Sequence, residues 1–218
     1  MFPDRIETER LVLERLCHEN LDLFEFYAIC SDADGPEAMD EVTRYMPWEP
    51  HETLLESKEY IDGVEERWEE GEAAGYVIRP RDDESDEVPS ASESASGEYG
   101  DPRDGAGEYA GNAALHIDWD RRTGRLGTWL RKRFWGRGYS GERAGALMKL
   151  AFERLDLEVV SVSHHADNDR SRRAIEKYVE AYGGRREGLL RNWLPHGDEV
   201  SDEYRYTISQ AEYRDATE

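Results

Sequence analysis

One stretch, Leu130–Glu142, constrains the fold more than any other, because in it a strand-like run meets a helix through a turn rich in glycine and arginine. Upstream, residues 127–130 have the aromatic and β-branched character of a strand. Downstream, apolar residues recur at helical spacing, which predicts a helix that begins near Ser140. The apolar positions of this helix are Ala144, Leu147, Met148, Ala151 and Leu155.

The turn between the two elements is suited to a phosphate group. The first N–H groups of a helix have no partner within the helix, and they lie at the positive end of its dipole. Gly136 and Gly138 have no Cβ atom that would hold a diphosphate away from the backbone amides. Arg131, Arg133 and Arg137 add forked hydrogen-bond donors.

Three known phosphate-binding patterns can be compared with this turn. A Walker loop is excluded, because no Lys-Ser or Lys-Thr follows the glycines. The spacing Gly136-x-Gly138-x-x-Gly141 matches the dinucleotide fingerprint, but the basic and aromatic residues 131–135 are unlike the buried strand that should precede it. A nicotinamide-dependent oxidoreductase would therefore rest on this spacing alone.

The third pattern, Arg133-x-x-Gly136-x-Gly138, resembles the acyl-CoA loop of the GNAT acyltransferase superfamily. The sequences Trp-Gly-Arg-Gly-Tyr at 135–139 and Asn-Asp-Arg-Ser at 168–171 resemble the branch that includes the ribosomal-protein alanine N-acetyltransferases, as does the start Thr8-x-Arg10-Leu11. The resemblance covers nearly the whole chain outside the acidic residues 80–108. It implies one domain over residues 1–218, with a mixed α/β fold: a mostly antiparallel sheet of about seven strands with a splayed parallel pair, flanked by about four helices.

The periodicity of the chain agrees with that order of elements. Predicted strands cover residues 6–16, 75–78, 109–118, 123–130, 159–163, 189–194 and 204–208, and predicted helices begin near residues 18, 53, 140 and 168. The β-branched run at 159–163 is typical of a central parallel strand. Residues 80–108 are acidic and almost without apolar side chains, which predicts a solvated insertion between two strands.

The composition narrows the possible partners and compartments. The net charge is −22, with 50 acidic and 28 basic residues. Because self-repulsion of this size is screened in concentrated salt, we expect a halophile and a high-salt cytoplasm. The same charge argues against nucleic acid as a partner. The first 20 residues lack the basic-then-apolar order expected of a signal peptide, and no apolar run is long enough to cross a membrane. Cys17 and Cys30 are expected to be buried hydrophobes and not zinc ligands.

The resemblance implies acetyl-CoA as co-substrate and no metal. The strand end at Trp129 and Leu130 would then pair with the pantetheine arm, and the amides of residues 134–140 would hold the pyrophosphate. Asn168 would contact the pantetheine or an ordered water, and Ser171 would give a proton to the departing sulfur, although Ser171 could equally be a helix-capping hydroxyl. The full predicted coenzyme site is Trp129, Leu130, Arg131, Arg133, Phe134, Trp135, Gly136, Arg137, Gly138, Tyr139, Ser140, Asn168 and Ser171.

The general base is the weakest part of the resemblance. Where many members of the branch have a glutamate, on the strand before the loop, this chain has Arg125. Asp118, His116 and His165 are the candidate substitutes on neighbouring strands, and a histidine has a suitable pKa. A chain of waters could also remove the proton. Tyr45 and Trp48 are candidate contacts for the acceptor, or else aromatic residues that pin the helices to the sheet.

The sequence therefore predicts an N-acetyltransferase that moves an acetyl group from acetyl-CoA to a primary amine, on a protein N-terminus such as that of a ribosomal protein or on a small molecule, by direct attack. The overall charge predicts an acidic cleft that favours a cationic acceptor. The alternative is a GNAT-fold module that binds acyl-CoA or regulates, with little transfer. A monomer or a homodimer fits either function.

Overall fold

The computed structural model describes residues 1–31, 38–81, 107–196 and 199–218. The strands are β1 (Arg5–Glu7), β2 (Leu11–Arg15), β3 (Ala73–Pro80), β4 (Gly111–Asp118), β5 (Thr123–Leu130), β6 (Val159–His165), β7 (Arg185–His196) and β8 (Glu199–Ser209). The helices are α1 (Leu23–Cys30), α2 (Met39–Thr43), α3 (Leu54–Glu69), α4 (Tyr139–Lys149), α5 (Asp169–Ala181) and α6 (Gln210–Thr217). A π-helical turn, Leu150–Arg154, continues α4.

All eight strands form one sheet in the order β1-β2-β3-β4-β5-β6-β8-β7. Neighbouring strands are antiparallel except β5 and β6, which run in parallel because α4 crosses between them. These two strands pair only from Thr123 to Arg125, opposite Val159 to Ser161. Beyond that point they separate, which gives the predicted splayed pair.

Helices cover the two faces of the sheet and define two hydrophobic clusters. On one face, α4 and α5 pack with Leu115, Leu126 and Val160. On the other face, α1 and α3 pack with Val77 and Trp129. The faces alternate along each strand, so the side chains of β5 point in turn toward α4 and toward α3. The gap between β5 and β6 thus lies over the contact between α4 and α5.

The helix starts follow local sequence signals. Thr53 caps α3 by accepting a hydrogen bond from the Glu56 N–H, and Asn168 caps α5 by accepting one from the Ser171 N–H. Gly71, with a φ of +75°, follows the C-terminus of α3. The predicted inner face of α3 is buried, as expected from its periodicity: Ile61, Val64 and Trp68.

The structure has one more strand than the sequence predicts and two more helices. The predicted first strand is divided, because Thr8 bonds to the backbone of Leu11 through both its N–H and its hydroxyl, and this turn folds β1 back onto β2. The added helices are α2, which follows residues outside the described part, and α6, which begins with a capping box between Ser209 and Glu212. Most of the acidic insertion, residues 82–106, lies outside the described residues.

Within the described ranges, none of the helices combines the length and apolar character that crossing a membrane requires. Cys17 and Cys30 are both buried free thiols, and burial raises the pKa of Cys30.

Candidate active site

The gap between β5 and β6 is the most distinctive feature of the sheet. Arg125 and Ser161 form the last paired position, and the strands then diverge toward Leu130 and His165. Backbone groups in the second half of β5 therefore have no strand partner on that side. Because α4 and α5 both begin at the open end, their N-termini lie on either side of the mouth of the gap.

The turn before α4 presents a row of free amides. In the part of the chain that the structure describes, the five backbone N–H groups from Gly136 to Ser140 donate no hydrogen bond to another protein group. Two of them belong to the first turn of α4, at the positive end of its dipole. Consecutive free amides of this kind form a site for an anion.

Two glycines allow this arrangement of the backbone. Gly136 and Gly138 have φ angles of +80° and +83°, in the left-handed region that favours glycine. A Cβ atom on Gly136 would meet no other atom within 4 Å, so the space beside it is open. The predicted role of these glycines, which is to leave room beside the amides, agrees with the geometry.

A network of long-range contacts holds the turn against the N-terminal strands. Glu142 accepts hydrogen bonds from the Thr8 hydroxyl (2.6 Å) and the Arg10 N–H (2.7 Å), and it forms an ion pair with the Arg10 guanidinium (2.8 Å). Arg10 also donates to the carbonyl oxygen of Arg137 at 2.8 Å. Burial alone would raise the pKa of Glu142, but these hydrogen bonds and the nearby charge lower it overall. Sequence reasoning missed this network.

The basic residues of the turn differ in what they can offer a ligand. Arg131 and Arg133 both form ion pairs with Glu108, and Arg131 is buried and donates to the Tyr109 carbonyl oxygen at 2.8 Å. Only Arg137, whose guanidinium lies over the Phe134 ring, has no carboxylate partner among the basic residues 131–137 within the described ranges. The Arg131 side chain therefore points into the protein and supports the turn, and its predicted attraction of phosphate stays a prediction.

Aromatic residues of the turn pack back onto the end of β5. The Trp135 indole donates to the carbonyl oxygen of Leu130 at 2.8 Å, and Trp129 and Leu130 are themselves buried. Phe134 and Tyr139 are buried below the turn. They fix its shape, and they leave contact with a ligand to the backbone.

The start of α5 faces the turn across the mouth of the gap. Asn168 uses its side-chain oxygen to cap the helix, at 3.0 Å from the Ser171 nitrogen. The Ser171 hydroxyl is half-buried and makes no hydrogen bond in the described part of the chain, so it is free to donate. The Arg170 guanidinium lies 3.9 Å from the centroid of the Trp135 ring and thereby joins α5 to the turn.

His116 and Arg125 lie directly opposite each other on β4 and β5. Both side chains are on the α3 face, and His116 Nε2 is 3.8 Å from the position that a Cβ atom on Gly127 would take. Burial, and then the charges of Arg125 and Arg67, lower the pKa of His116 to about 4. This imidazole is neutral at pH 7 and has little affinity for a proton.

The other two candidate bases are differently placed. Asp118 lies at the closed end of the sheet gap, where it accepts from the Arg121 N–H (3.0 Å) and pairs with the Arg121 guanidinium (3.5 Å), and its role as a base stays a prediction. It is opposite Thr123, about 13 Å along the strand from Gly127. His165 lies at the open end of β6, where its Nδ1 accepts from the Asp167 N–H at 3.1 Å. A neutral imidazole with Nδ1 occupied in this way carries its proton on Nε2.

Tyr45 and Trp48 lie at the open end of the gap on the α3 face. The Tyr45 ring is 4.9 Å from the ring of His165, and the Trp48 ring is 5.5 Å from that of Trp129. The loop that carries them therefore spans from β6 to β5 across the mouth. Both alternatives for these residues, contact with the acceptor and pinning of the helices to the sheet, stay predictions.

Most of the sequence matches a known family. The family described as the acetyltransferase (GNAT) domain matches residues 10–178, which is more than half of the chain. The chain belongs to the GNAT acetyltransferase family. One curated relative, the uncharacterized N-acetyltransferase p20 of Bacillus licheniformis, is 24% identical over 206 residues, which are 94% of this chain and 98% of that protein.

Solved GNAT structures have the same fold. The Microcin C7 self immunity acetyltransferase MccE, solved in complex with acetyl-CoA and AMP, gives a TM-score of 0.72 at 16% identity, covering 95% of this chain and 97% of that one. A putative ribosomal-protein-serine acetyltransferase from Vibrio cholerae gives 0.67 at 19% identity, covering 96% and 99%. At these identities the likeness shows the fold, while the family match shows an acetyl-CoA-dependent N-acetyltransferase in general.

The α3 face of this GNAT sheet differs from the acidic cleft that the net charge predicts. Beside the vertex of the gap lies a pocket of about 290 Å³, and the charged side chains that line it are Arg121, Arg125, Arg205 and Asp118. The local charge is thus positive on a chain whose net charge is −22. The sequence could not indicate this, because Arg205 of β8 meets Arg121 and Arg125 only in the folded sheet.

Among the described residues, one group could offer three ligands to a metal: His18, Asp62 and Glu65. It lies at the surface, where Asp62 is bound by Lys58 at 2.5 Å and by His18 at 2.8 Å. It is on α3 and the loop before α1, away from the gap, and exposed acidic groups of this kind are common without an ion. The expectation that the reaction uses no metal stays a prediction.

Proposed function

We propose that this chain transfers an acetyl group from acetyl-CoA directly to a primary amine at the mouth of the β5–β6 gap. One observation carries the proposal: five consecutive free amides, from Gly136 to Ser140, lie at a helix N-terminus beside the gap. A diphosphate bound there would leave its attached arm free to enter between the strands. The whole chain, residues 1–218, would serve as one catalytic domain.

The residues present fit the coenzyme. The open space beside Gly136 admits a phosphate to within hydrogen-bond reach of the amides, and the guanidinium of Arg137 lies next to them. Beyond Arg125, β5 has no strand partner on the side of the gap, and this strand edge suits an amide-bearing arm. Two of its carbonyl oxygens already accept from side chains, Leu130 from the Trp135 indole and Gly127 from Arg143. Acetyl-CoA supplies the reactive thioester, and the protein supplies its position.

Ser171 and Asn168 are the side chains best placed to assist. The Ser171 hydroxyl, free and half-buried at the start of α5, would donate a proton to the sulfur that leaves. Asn168 would keep the hydroxyl in place by capping the same turn, and its amide nitrogen can still donate to the coenzyme or a water. These roles follow from position, because neither group is otherwise engaged in the gap.

The amine proton would leave through water. His116 binds a proton too weakly at neutral pH, and His165 has its acceptor nitrogen occupied by a backbone N–H. Asp118 is held in its turn by Arg121. We therefore assign no side chain as general base, and we expect the acceptor to enter as the free amine or to lose its proton to solvent at the exposed α3 face.

Tyr45 and Trp48 would contact the acceptor, since they lie over the open ends of β6 and β5. The acceptor would be a protein N-terminus or a small amine. The similarity to a putative ribosomal-protein-serine acetyltransferase supports the first, and the similarity to a self immunity acetyltransferase solved with a nucleotide supports the second.

A second function has one observation in its favour. Arg125 occupies the position where many members of the branch have a glutamate, so the chain could bind acyl-CoA in a regulatory role with little transfer. Turnover separates the two functions. A transferase releases CoA only when an amine is added, and Ser171→Ala lowers that rate while the affinity for acetyl-CoA is kept.

Calorimetric titration with acetyl-CoA in molar KCl tests the coenzyme site. Gly136→Glu and Gly138→Glu should each abolish micromolar binding, because they place a carboxylate beside the amides. Gly71→Glu is the matched control: its φ is +75°, and a Cβ atom there would meet only the flexible Met1 side chain. Unchanged binding in the loop variants, or equal loss in the control, would contradict the proposal.

A further inference from the structure

The pocket beside the vertex of the gap has a charge opposite to that of the chain. It is lined by Arg125 of β5, Ser161 and Ser163 of β6, and Arg205 of β8, all on the α3 face. Leu190 and Trp193 of β7 form an apolar wall. We call these residues the arginine pocket.

The two inner arginines are not neutralised by the protein. Within the described ranges, neither Arg125 nor Arg205 has a carboxylate within 4.0 Å, although acidic residues outnumber basic ones by 50 to 28. Arg121, at the rim, does pair with Asp118 at 3.5 Å. A guanidinium left without a carboxylate in so acidic a chain is available to an anion from outside.

The two arginines can act on the same group. Arg125 is in register with Ser161, and Arg205 is in register with the neighbouring Ser163, so β6 separates them. Strands lie about 4.8 Å apart and the two positions are offset by two residues along β6, which places the two Cα atoms roughly 12 Å from each other, and each side chain can reach over β6. The Ser161 hydroxyl donates to the Gly124 carbonyl oxygen at 3.3 Å, so the hydroxyl that can donate to the same anion is that of Ser163. Two forked guanidinium groups with a hydroxyl donor suit a carboxylate.

The pocket also adjoins the place where transfer would occur. Arg125 and Ser161 are the last paired residues before the gap opens, and Gly127 lies two residues farther along β5. Two residues of strand span about 7 Å. An acceptor with its amine at the gap can therefore place a carboxylate between the arginines when only a few bonds separate the two groups.

Resting on the proposed function, we propose that the arginine pocket selects an acceptor amine that carries a carboxylate a few bonds away. The carboxylate can come from a free amino acid or from an acidic residue next to the N-terminus of a peptide. A carboxylate bound there would also offset the positive charge of Arg125, which now helps to hold His116 in its neutral form.

Pairs of acceptors that differ only in the charge of one group test this proposal. CoA release is measured with hexapeptides that begin Ser-Glu or Ser-Gln, and with free amino acids against their α-amides, at saturating acetyl-CoA. The expected result is a KM about tenfold to a hundredfold lower for the acid in at least one pair, which is the range of a charge-assisted contact. The pair that shows the difference identifies the source of the carboxylate. Equal kcat/KM for acid and amide in both pairs, or a preference for phosphorylated acceptors over carboxylates, would overturn the proposal.

Variants connect the effect to the pocket. Arg125→Gln and Arg205→Gln should each raise KM for the acid toward that for the amide, with kcat for the amide and the affinity for acetyl-CoA unchanged. Arg214→Gln on α6 is the control for loss of one arginine elsewhere. Arg205→Glu should favour a peptide that begins Ser-Lys. An equal rise in KM for acid and amide would indicate a structural role and would refute the assignment.

A binding measurement separates this proposal from the proposed function. The Ser-Glu and Ser-Gln peptides are titrated into the protein by calorimetry with CoA present and no acetyl donor. If the acid binds more tightly through Arg205 but no acetyl group is ever transferred, the pocket assignment holds and transfer fails. If acetyl transfer occurs with no preference for acids, transfer holds and the pocket assignment fails.

Discussion

The buried imidazole of His116 gives a quantitative test of the electrostatics at the site. Its pKa falls from the ordinary 6.5 to about 4, first because of burial and then because of Arg125 and Arg67. At about 1.4 kcal/mol for each tenfold change in proton affinity, this difference amounts to about 3 kcal/mol. The unfolded chain binds the proton more tightly than the folded one. The contribution of this pKa difference to the free energy of unfolding is therefore fully present above pH 6.5, decreases as the pH falls toward 4, and is lost below that.

His116→Gln removes this one titration and leaves every carboxylate in place. Urea unfolding of the wild type and the variant in molar KCl, at steps from pH 8 to pH 4, should show the variant gaining about 3 kcal/mol relative to the wild type as the pH falls. An NMR titration of the imidazole gives the pKa directly. Arg125→Gln should raise that pKa only in part, because burial is the larger cause, while Arg214→Gln should leave it unchanged. Parallel unfolding curves, or an imidazole that titrates near 6.5, would refute the reasoning.

Three further predictions follow from the site. Glu142→Gln should lower the free energy of unfolding by about 2 kcal/mol, because the charged hydrogen bonds from Thr8 and Arg10 are weakened, and urea unfolding measures this loss. The same variant should bind acetyl-CoA more weakly, because the turn before α4 is no longer held in place. Calorimetry measures that affinity, and an affinity equal to that of the wild type would contradict this reasoning. If no side chain is the general base, kcat/KM should rise with pH up to the pKa of the acceptor amine, and a second inflection that disappears in His165→Gln would show the base to be His165. The thermal midpoint should rise between 0.1 M and 1 M KCl, as the Debye length falls from about 10 Å to about 3 Å, and a flat or falling midpoint would argue against the predicted high-salt cytoplasm.

Much of the scaffold of the site could be predicted from local sequence. The strand ending at Leu130, the glycine turn and the helix cap at Asn168 are set by residues that are near each other in sequence, and the structure confirms each. The parallel pairing of β5 and β6 follows from the helix between them. These features depend on hydrogen bonds and periodicity over a few residues, which a sequence pattern records.

The partners of the charged residues could not be predicted in the same way. Glu142 contacts Thr8 and Arg10 across more than 130 residues, and Glu108 neutralises arginines on the far side of a hairpin. The start Thr8-x-Arg10 was recognised only as a resemblance, and its physical reason is this contact with Glu142. The distance of Asp118 from the gap depends on the register of β4 and β5, which the sequence pattern does not give.

Most anion sites bind their ligand more weakly as the salt concentration rises, but the net charge of this chain predicts the opposite for acetyl-CoA. At roughly 20 Å, a typical dimension for a domain of this size, a net charge of −22 repels each negative charge of the coenzyme by about 5 kcal/mol in unscreened water. Screening at 0.1 M leaves somewhat less than 1 kcal/mol per charge, and at 1 M almost none. The amides of residues 136–140 would act at contact distance, where a Debye length of about 3 Å removes less of the attraction.

Binding of acetyl-CoA should therefore tighten about tenfold or more between 0.1 M and 1 M KCl, since the coenzyme carries several negative charges and the repulsion is lost before the contacts are. Calorimetric titration across that range measures the change, and circular dichroism at each salt concentration shows whether the fold is constant. At pH 7, the wild type and a variant with added surface lysines on α6 should have the same affinity for acetyl-CoA at high salt, because they differ only in the long-range repulsion of the coenzyme. Affinity that falls steadily with salt in a folded protein would show that ion pairs with side chains, and not the row of backbone amides, dominate the site.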